Sequence, residues 1–346
     1  MRVVNVVGAG GVGKTTISAA IAVDLARRGL RTLVITVDPA RRLGTALGLA
    51  GVGAKPVATP EPHLWAAMLD ATESWHDVAR RYADPVVADR LLENPFFDAV
   101  ARRFPASQAF AAADTMATQV LSGEWEAVVV DTPPSGGGVE YFTAAADITD
   151  LVGGRLIRVL TGGRLPGARR LFVIAGAPIL RLADHILGGP TLTEVADFLF
   201  DLRTTYDGLA ARADEIDAIL RSSSSVVVTT PDPGPIEEAL AFGFTLPDVA
   251  AAPVVTLLNR ALPAAWATDL DVSGDEEPAP TLRGWAAEAA RQERLRRRLE
   301  ATLDGPVEPV WRLADAPVGL DALAAMLPAG VVDRVAGPDG RRFVGS

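Results

Sequence analysis

The sequence predicts an α/β fold, a doubly wound and mainly parallel sheet that carries an inserted α-helical subdomain. Three observations support this prediction. Short, almost wholly apolar runs alternate with segments of helical periodicity, as buried parallel strands and crossover helices do. The first apolar run, residues 3–7, breaks into a glycine-rich turn. Residues 139–221, by contrast, contain no convincing strand.

The turn after the first strand has the pattern of a phosphate-binding loop. It reads GAGGVGKTT, which fits G-x-x-x-x-G-K-[ST] between an apolar strand and a helical segment. Glycines let the backbone approach phosphate oxygens closely, and successive N–H groups form an anion site at a helix N-terminus. The pattern predicts a P-loop NTPase. Its expected nucleotide-binding residues here are Gly8, Gly10, Gly11, Val12, Gly13, Lys14, Thr15 and Thr16.

Lysine is rare in this chain, which makes its presence in the loop informative. Of the 33 lysine and arginine residues, only Lys14 and Lys55 are lysine. A compact ammonium group fits between phosphates where a wide planar guanidinium does not. We therefore expect Lys14 to lie against the β- and γ-phosphates, and the hydroxyl of Thr15 to ligate Mg²⁺. A chance glycine-rich turn is the less favoured alternative.

Two aspartates follow predicted strands at the same sheet edge. A helix over residues 15–28 leads to a strand over residues 31–37 that ends at Asp38. A strand–helix–strand unit of this length makes a right-handed crossover between parallel strands, so Asp38 lies at the edge where such sheets bind ligands. The strand over residues 127–130 ends likewise at Asp131, which fits a Walker B carboxylate near Mg²⁺. An aspartate that merely begins a turn is the alternative for Asp131.

The remaining periodicity predicts one domain over residues 1–346. Its parts are a nucleotide-binding core at about 1–72, 122–138 and 222–330, a helical subdomain at about 73–121 and 139–221, and a loose tail at about 334–346. The apolar residues of the helical subdomain either form a core or line a groove for a partner, and the sequence leaves both open.

Composition excludes several functional classes. The chain has no cysteine, which excludes disulfides, thiolate metal sites and thiol chemistry. Its net charge of −10 argues against sequence-independent binding of nucleic acid and against binding to anionic lipid. The first strand begins at Arg2, and the longest clearly apolar run, residues 171–180, is too short to span a bilayer. We therefore expect a cytoplasmic protein with no signal peptide and no transmembrane segment.

Five fragments together resemble one family. They are GAGGVGKTT, DPARRLGTALGL, DTPPSGG, VVVTTPDPGPIEEA and VVTLLNR, which begin at residues 8, 38, 131, 226 and 254. In this order and spacing they are similar to the ArsA/GET-pathway ATPases, which transport anions or target tail-anchored proteins. That family belongs to the deviant Walker A class, together with ParA, MinD and the nitrogenase iron protein. The resemblance covers nearly the whole chain.

The resemblance implies roles for the two aspartates. Asp38 corresponds to the switch I aspartate, which orients the attacking water, so Asp38 and Lys14 are the expected catalytic residues. Asp131 corresponds to the switch II aspartate near Mg²⁺. The implied metal site therefore comprises Thr15, Asp38 and Asp131.

The resemblance also implies ATP as the nucleotide. Asn259 corresponds to the residue that reads adenine, and an amide can both donate to and accept from the adenine edge. A GTPase would have Asn-Lys-x-Asp where this chain has Asn-Arg-Ala-Leu from residue 259. Ala316 and Pro317 lie in a segment, residues 313–318, that resembles the adenine-covering loop.

The chain departs from the family pattern at Ala9. Family members act as dimers, and their P-loop usually carries a second lysine at this position, which reaches the partner's phosphates. We therefore predict a heterodimer with an ArsA-like paralogous subunit that has this lysine, with a homodimer as the alternative. Arg41 or Arg42 is an alternative source of the charge. The absence of cysteine implies no zinc at the dimer interface. A hydrophobic protein client is a further candidate partner, although only four methionines argue against the methionine-lined groove of tail-anchor-targeting members.

The leading functional hypothesis is an ATP-hydrolysing switch, in which ATP opens and closes the helical subdomain for a protein or other partner. One alternative is a weakly hydrolysing, ATP-binding regulatory subunit, and another is an anion-pump subunit. A ParA/MinD-like positioning ATPase is a third alternative. The acidic charge and the lack of a basic amphipathic tail argue against this last class, so we expect no nucleic-acid partner.

Overall fold

A computed structural model of the chain describes residues 1–37, 42–94, 97, 105–133, 138–153, 200–270, 277–303 and 305–336. The strands in these ranges are β1 (Arg2–Val7), β2 (Thr32–Thr36), β3 (Val57–Ala58), β4 (Leu64–Met68), β5 (Ala127–Asp131), β6 (Ser224–Thr229), β7 (Pro253–Ala261) and β8 (Val307–Trp311). The helices from the N-terminus to the middle of the chain are α1 (Lys14–Arg27), α2 (Arg42–Leu47), α3 (Ala71–Tyr82), α4 (Pro85–Leu92), α5 (Pro105–Leu121) and α6 (Gly138–Gly153). After them come α7 (Tyr206–Ser222), α8 (Pro233–Val249), α9 (Trp266–Asp269), α10 (Ala279–Thr302), α11 (Leu320–Met326) and α12 (Val331–Ala336).

The strands form one eight-stranded sheet in the order β3-β4-β2-β5-β1-β6-β7-β8. Every pairing is parallel except that of β3 with β4. All five residues of β2 and all five of β5 are buried, because helices cover both faces of a parallel sheet. The predicted α/β class with a mainly parallel, doubly wound sheet is confirmed.

The first strand lies between β5 and β6, where the strand order changes direction. Its successor in sequence, β2, lies on the β5 side, whereas β6 and β7 continue on the other side. In open α/β sheets such a switch point creates a crevice at the carboxyl ends of the strands, and ligands bind there. The fold therefore directs the turn after β1 into this crevice.

Contacts within the chain define two compact units. The first comprises residues 1–69, 116–142 and 219–346 and contains the sheet. Its core includes one face of α1, where Ile17, Ile21 and Leu25 are fully buried as the helical period predicts. The second comprises residues 70–115 and 143–218, and residues 154–199 of the predicted helical subdomain lie outside the described residues.

Several short elements are not predicted from the sequence. The two-residue strand β3 is too short to show a period. Helix α12, which includes residues 334–336 of the predicted tail, is not predicted either. This helix buries Val331, Val332 and Val335 in the main core, so its first turn is an apolar contact and not a loose end.

A buried ion pair joins two helices within the second unit. The guanidinium of Arg212 on α7 donates from Nε to Oδ1 of Asp114 on α5 at 2.6 Å and from Nη2 to the Asp114 carbonyl at 3.0 Å. Both side chains are only 4% exposed. Burial alone lowers the pKa of Arg212, but the charge and hydrogen bond of Asp114, together with a hydrogen bond to Glu215 and the charge of Tyr82, outweigh it, so the pKa lies above the ordinary value.

We expect Arg212→Ala to lower the free energy of unfolding by about 3–5 kcal/mol, because it leaves the Asp114 carboxylate buried without its cation. Denaturant unfolding followed by circular dichroism measures this. Arg80→Ala, which removes an exposed partner of Asp77, is the control and should cost less than about 1 kcal/mol. Equal effects of the two substitutions would contradict the prediction.

Candidate nucleotide-binding site

The backbone between β1 and α1 requires glycine at two positions by close approach. Gly8 has φ of 148°, and a Cβ there would lie 2.0 Å from the carbonyl oxygen of Val228 on β6. Gly13 has φ of 100°, and its Cβ would lie 2.4 Å from Nδ2 of Asn259 on β7. The P-loop is thus packed against the ends of two neighbouring strands, with no room for side chains at these points.

Helix α1 begins immediately after this turn, at Lys14. Its N-cap residue is Gly13, which has no side chain to accept from the first N–H groups of the helix. The first turn of a helix therefore presents backbone donors and the positive end of the helix dipole, which together favour an anion. This is the arrangement that the P-loop pattern predicts for the phosphates.

Lys14 lies along the same turn. Its Nζ donates to the carbonyl oxygens of Gly8 at 2.7 Å and Ala9 at 2.9 Å, and the side chain is only 6% exposed. Two carbonyl acceptors fix the position of the ammonium group and keep its charge at the start of α1. A fixed, nearly buried cation interacts with a phosphate more strongly than a solvated surface lysine does.

The carboxylate of Asp131 connects β5 to the P-loop helix and to β2. Its Oδ2 accepts from the hydroxyl of Thr15 at 2.7 Å and from the hydroxyl of Thr36 at 2.8 Å. Strand pairing produces this contact, because Asp131 is in register with Val6 of β1 and with Thr36 of β2. Asp131 itself is 2% exposed. The structure thus brings together two of the residues predicted for the metal site.

These residues suit Mg²⁺. A hydroxyl and a carboxylate are hard oxygen ligands, which Mg²⁺ prefers, and it commonly takes one or two protein ligands with phosphate oxygens and water. Within the described ranges, no cluster of three or more histidine, cysteine or acidic side chains forms a complete metal cage. Thr15 and Asp131 would therefore hold the ion beside bound phosphates.

One cavity of about 370 Å³ brings together six of the predicted site residues, whereas Gly8, Gly10, Val12 and Asn259 are not in its described lining. Its lining includes Gly11, Gly13, Lys14, Thr15, Thr16 and Asp131. Arg42, Thr132 and Arg260 also line it. A volume of this size lies within the range of small-ligand sites.

Asn259 and Arg260 hold the P-loop from the end of β7. Nδ2 of Asn259 donates to the carbonyl of Val12 at 2.7 Å, and its Oδ1 accepts from the backbone N–H of Arg260 at 2.9 Å. The guanidinium of Arg260 donates to the carbonyl of Gly11 at 3.1 Å. The amide of Asn259 therefore positions the loop, a role that the resemblance does not imply. Its assignment to adenine stays a prediction.

Several predicted residues lie elsewhere. Asp38 and Arg41 lie outside the described residues. Ala316 is exposed and Pro317 is half-buried in the segment between β8 and α11, and neither belongs to the described lining of the cavity. The side chain of Ala9 is 5% exposed and packs in the hydrophobic core.

Thr36 and Arg260 are among the contributors to the site that sequence reasoning does not identify. Thr36 is the last residue of β2, and its only sequence signal is a hydroxyl at a strand end beside the predicted Walker B strand. Arg260 is part of the VVTLLNR fragment, but its position at the P-loop depends on an irregularity in β7 that the sequence does not reveal.

We expect Gly13→Ala to lower the free energy of unfolding by about 2 kcal/mol or more, because it adds a Cβ against Asn259 and strains a left-handed φ. Thermal and denaturant unfolding measure the loss. If the close approach is the cause, the substitution costs less in an Asn259→Ala background. Gly284→Ala, in α10 with nothing near its Cβ, is the control. An unchanged stability of Gly13→Ala would contradict the geometry.

Comparisons with known proteins agree with this site. The sequence model of the anion-transporting ATPase family matches residues 1–158, which include β1, the P-loop and β5. The described residues include no helix with an apolar stretch long enough to cross a membrane.

Individual relatives match over different lengths. An uncharacterized protein of Streptomyces coelicolor is 28% identical over 338 residues, which cover 96% of this chain and 77% of that protein. A putative arsenical pump-driving ATPase of Prosthecochloris vibrioformis is 34% identical over 140 residues, 39% of this chain and 34% of that protein. An arsenical pump-driving ATPase of Escherichia coli is 32% identical over 136 residues, 38% of this chain and 21% of that protein. The matches to the pump-driving ATPases therefore span about a third of those proteins or less. The P-loop geometry, the family match over residues 1–158 and these similarities support a relationship to the ArsA (anion-transporting) ATPase family.

Proposed function

We propose that this chain binds and hydrolyses Mg·ATP in the cavity around Lys14, and that the cycle operates a dimeric switch. Homology supports ATPase activity at the level of the family. The observation that carries the proposal for this chain is the convergence of Lys14, Thr15 and Asp131 in one cavity at the start of α1. A cation, a hydroxyl and a carboxylate at a helix N-terminus are the groups that Mg²⁺ and a triphosphate require.

Phosphoryl transfer needs positioning and charge stabilisation more than covalent chemistry from the protein. Lys14, fixed by two carbonyls, holds positive charge where the transferred phosphate gains negative charge. Thr15 and Asp131 would hold Mg²⁺, and the bound ion would neutralise charge on the phosphate oxygens. Thr36 holds Asp131 in place through its hydroxyl. Asp38 is proposed to orient the attacking water, and Asn259 to contact adenine.

Ala9 is the residue that leads us to favour a heterodimer over a homodimer. A methyl group cannot carry charge to a partner's phosphates, so an isolated chain lacks the lysine that the family pattern places there. We therefore favour a heterodimer in the cytoplasm with a paralogous subunit that supplies this lysine. The buried Ala9 also favours the second candidate, a regulatory subunit that binds ATP and hydrolyses it weakly. The pumped anion or protein client stays open, although the absence of cysteine argues against a thiolate site for arsenite.

We expect Lys14→Ala to lower the affinity for ATP, or the hydrolysis rate at saturating ATP, by about 10² or more, because it removes the fixed cation at the phosphates. Asp131→Asn should weaken Mg²⁺-dependent binding more than Mg²⁺-independent binding. Titration with a fluorescent ATP analogue and a phosphate-release assay measure these effects. Lys55→Ala is the matched control, since it removes the other lysine of the chain at an exposed position.

ATP binding or hydrolysis that survives Lys14→Ala unchanged would contradict the proposed site. Loss of binding in Lys55→Ala would show that the assay reports general damage. Circular dichroism of each variant identifies variants that fail to fold, and a Lys14→Arg variant then provides a second test. Its wider guanidinium fits poorly between phosphates, so we expect this variant also to be weak.

The heterodimer makes a separate prediction. The chain alone should hydrolyse ATP slowly, and addition of a paralogous chain with lysine at the position of Ala9 should raise the rate, because the lysine stabilises the developing charge. Steady-state hydrolysis and analytical ultracentrifugation with Mg·ATP measure rate and assembly. Fast hydrolysis by the chain alone would contradict the heterodimer, unless Arg41→Ala or Arg42→Ala abolishes it. Slow hydrolysis with every paralogue would favour the regulatory subunit.

A further inference from the structure

Arg260 is a cation at the nucleotide cavity that the P-loop motif does not account for. It is the residue after Asn259 and lines the same cavity as Lys14 and Thr15. The residue is exposed, and within the described part of the chain no carboxylate lies within 4 Å of its guanidinium. Its charge is therefore not neutralised by an ion pair there.

A β-bulge places this side chain at the cavity. Along the pairing of β7 with β8, Asn259 is opposite Val310 and Ala261 is opposite Trp311, so Arg260 is the extra residue. It has φ of 61°, a left-handed conformation that is unfavourable for a residue with a Cβ. Bulges of this kind commonly re-aim a side chain beside an active site, and strained residues concentrate at such sites.

The bulge brings two consecutive residues onto two consecutive P-loop carbonyls. Asn259 donates to Val12 at 2.7 Å, and Nη2 of Arg260 donates to Gly11 at 3.1 Å. The Gly11 carbonyl is a neutral acceptor and engages one of the five N–H donors of the guanidinium. A phosphate oxygen is a stronger, charged acceptor, and a guanidinium can bind it in bidentate fashion.

We propose that Arg260 binds the terminal phosphates of the nucleotide from within the same chain. The inference rests on the proposed function and assigns a further residue to that site. Arg260 adds positive charge at the cavity in a chain whose P-loop has Ala9 where the family pattern has lysine. The ligand class is a nucleoside di- or triphosphate, because Lys14 and Arg260 supply two cations to one cavity and a chain of phosphates can bind both.

A purely structural role for Arg260 makes a different prediction. If Arg260 only donates a hydrogen bond to the Gly11 carbonyl, a neutral donor of similar shape can replace it. Any loss of affinity would then be equal for all nucleotides. Arg260→Gln is the variant that separates the two roles, because its amide N–H can still donate to a carbonyl while the charge is gone. Arg260→Lys restores a charge without the bidentate fork.

The experiment measures dissociation constants of fluorescent ATP, ADP and AMP with Mg²⁺ for the wild type, Arg260→Gln and Arg260→Lys. We expect Arg260→Gln to weaken ATP and ADP by about tenfold or more and AMP by less than about twofold, because a charged hydrogen bond is lost. Arg260→Lys should lie between the wild type and Arg260→Gln. The control is Arg312→Ala, just after β8, whose guanidinium lies over the ring of Trp285 at 5.7 Å from its centroid.

The inference would be overturned if Arg260→Gln bound ATP as tightly as the wild type does. It would also be overturned if the substitution weakened the affinity for AMP, ADP and ATP by the same factor. If the wild type binds ATP and Lys14→Ala does not, such a result leaves the proposed function standing and removes only the role of Arg260. If the wild type itself binds no Mg·ATP, both proposals fail. Thermal unfolding of each variant detects a variant that fails to fold. If Arg260→Gln fails to fold, Arg260→Lys distinguishes phosphate binding by the charge from a hydrogen bond to the Gly11 carbonyl alone.

Discussion

The carboxylate of Asp131 is the point on which the candidate site depends. One oxygen accepts hydrogen bonds from Thr15 at the start of the P-loop helix and from Thr36 at the end of β2. These three side chains come from separate parts of the sequence and meet because parallel pairing puts the ends of β1, β2 and β5 in register. A one-residue shift of β5 would turn Asp131 to the other face of the sheet and dissolve the arrangement.

On the other side of the P-loop, the constraint is close approach. Gly8 and Gly13 have no room for a Cβ against Val228 and Asn259, so β6 and β7 restrict the loop on this side. A loop fixed on both sides loses little conformational entropy when it binds a ligand, which favours tight and oriented binding. The same packing explains why the site needs β7, although this strand lies more than 200 residues after the P-loop in the sequence.

The sequence predicts the frame of this site well, and its details less well. Alternating apolar runs and helical periods were sufficient to predict a mainly parallel sheet. The P-loop pattern correctly identified the turn between β1 and α1. The rule that carboxyl ends of parallel strands share an edge places Asp131 near the P-loop, whereas its hydrogen bond with Thr15 is seen only in the structure. Thr36 and Arg260 could not be assigned in this way, because the first is an ordinary strand residue and the second depends on a bulge. A bulge results from the pairing of β7 with β8, which no local pattern encodes.

We propose that a triphosphate binds at the start of α1 with Mg²⁺ beside Thr15 and Asp131. A crystal structure of the chain with Mg²⁺ and a non-hydrolysable ATP analogue tests it most directly. We expect phosphate oxygens within hydrogen-bond distance of Lys14 and the N–H groups of the P-loop, with the metal bound to the hydroxyl of Thr15. A well-ordered analogue bound elsewhere on the chain, with the P-loop cavity filled only by solvent, would contradict it.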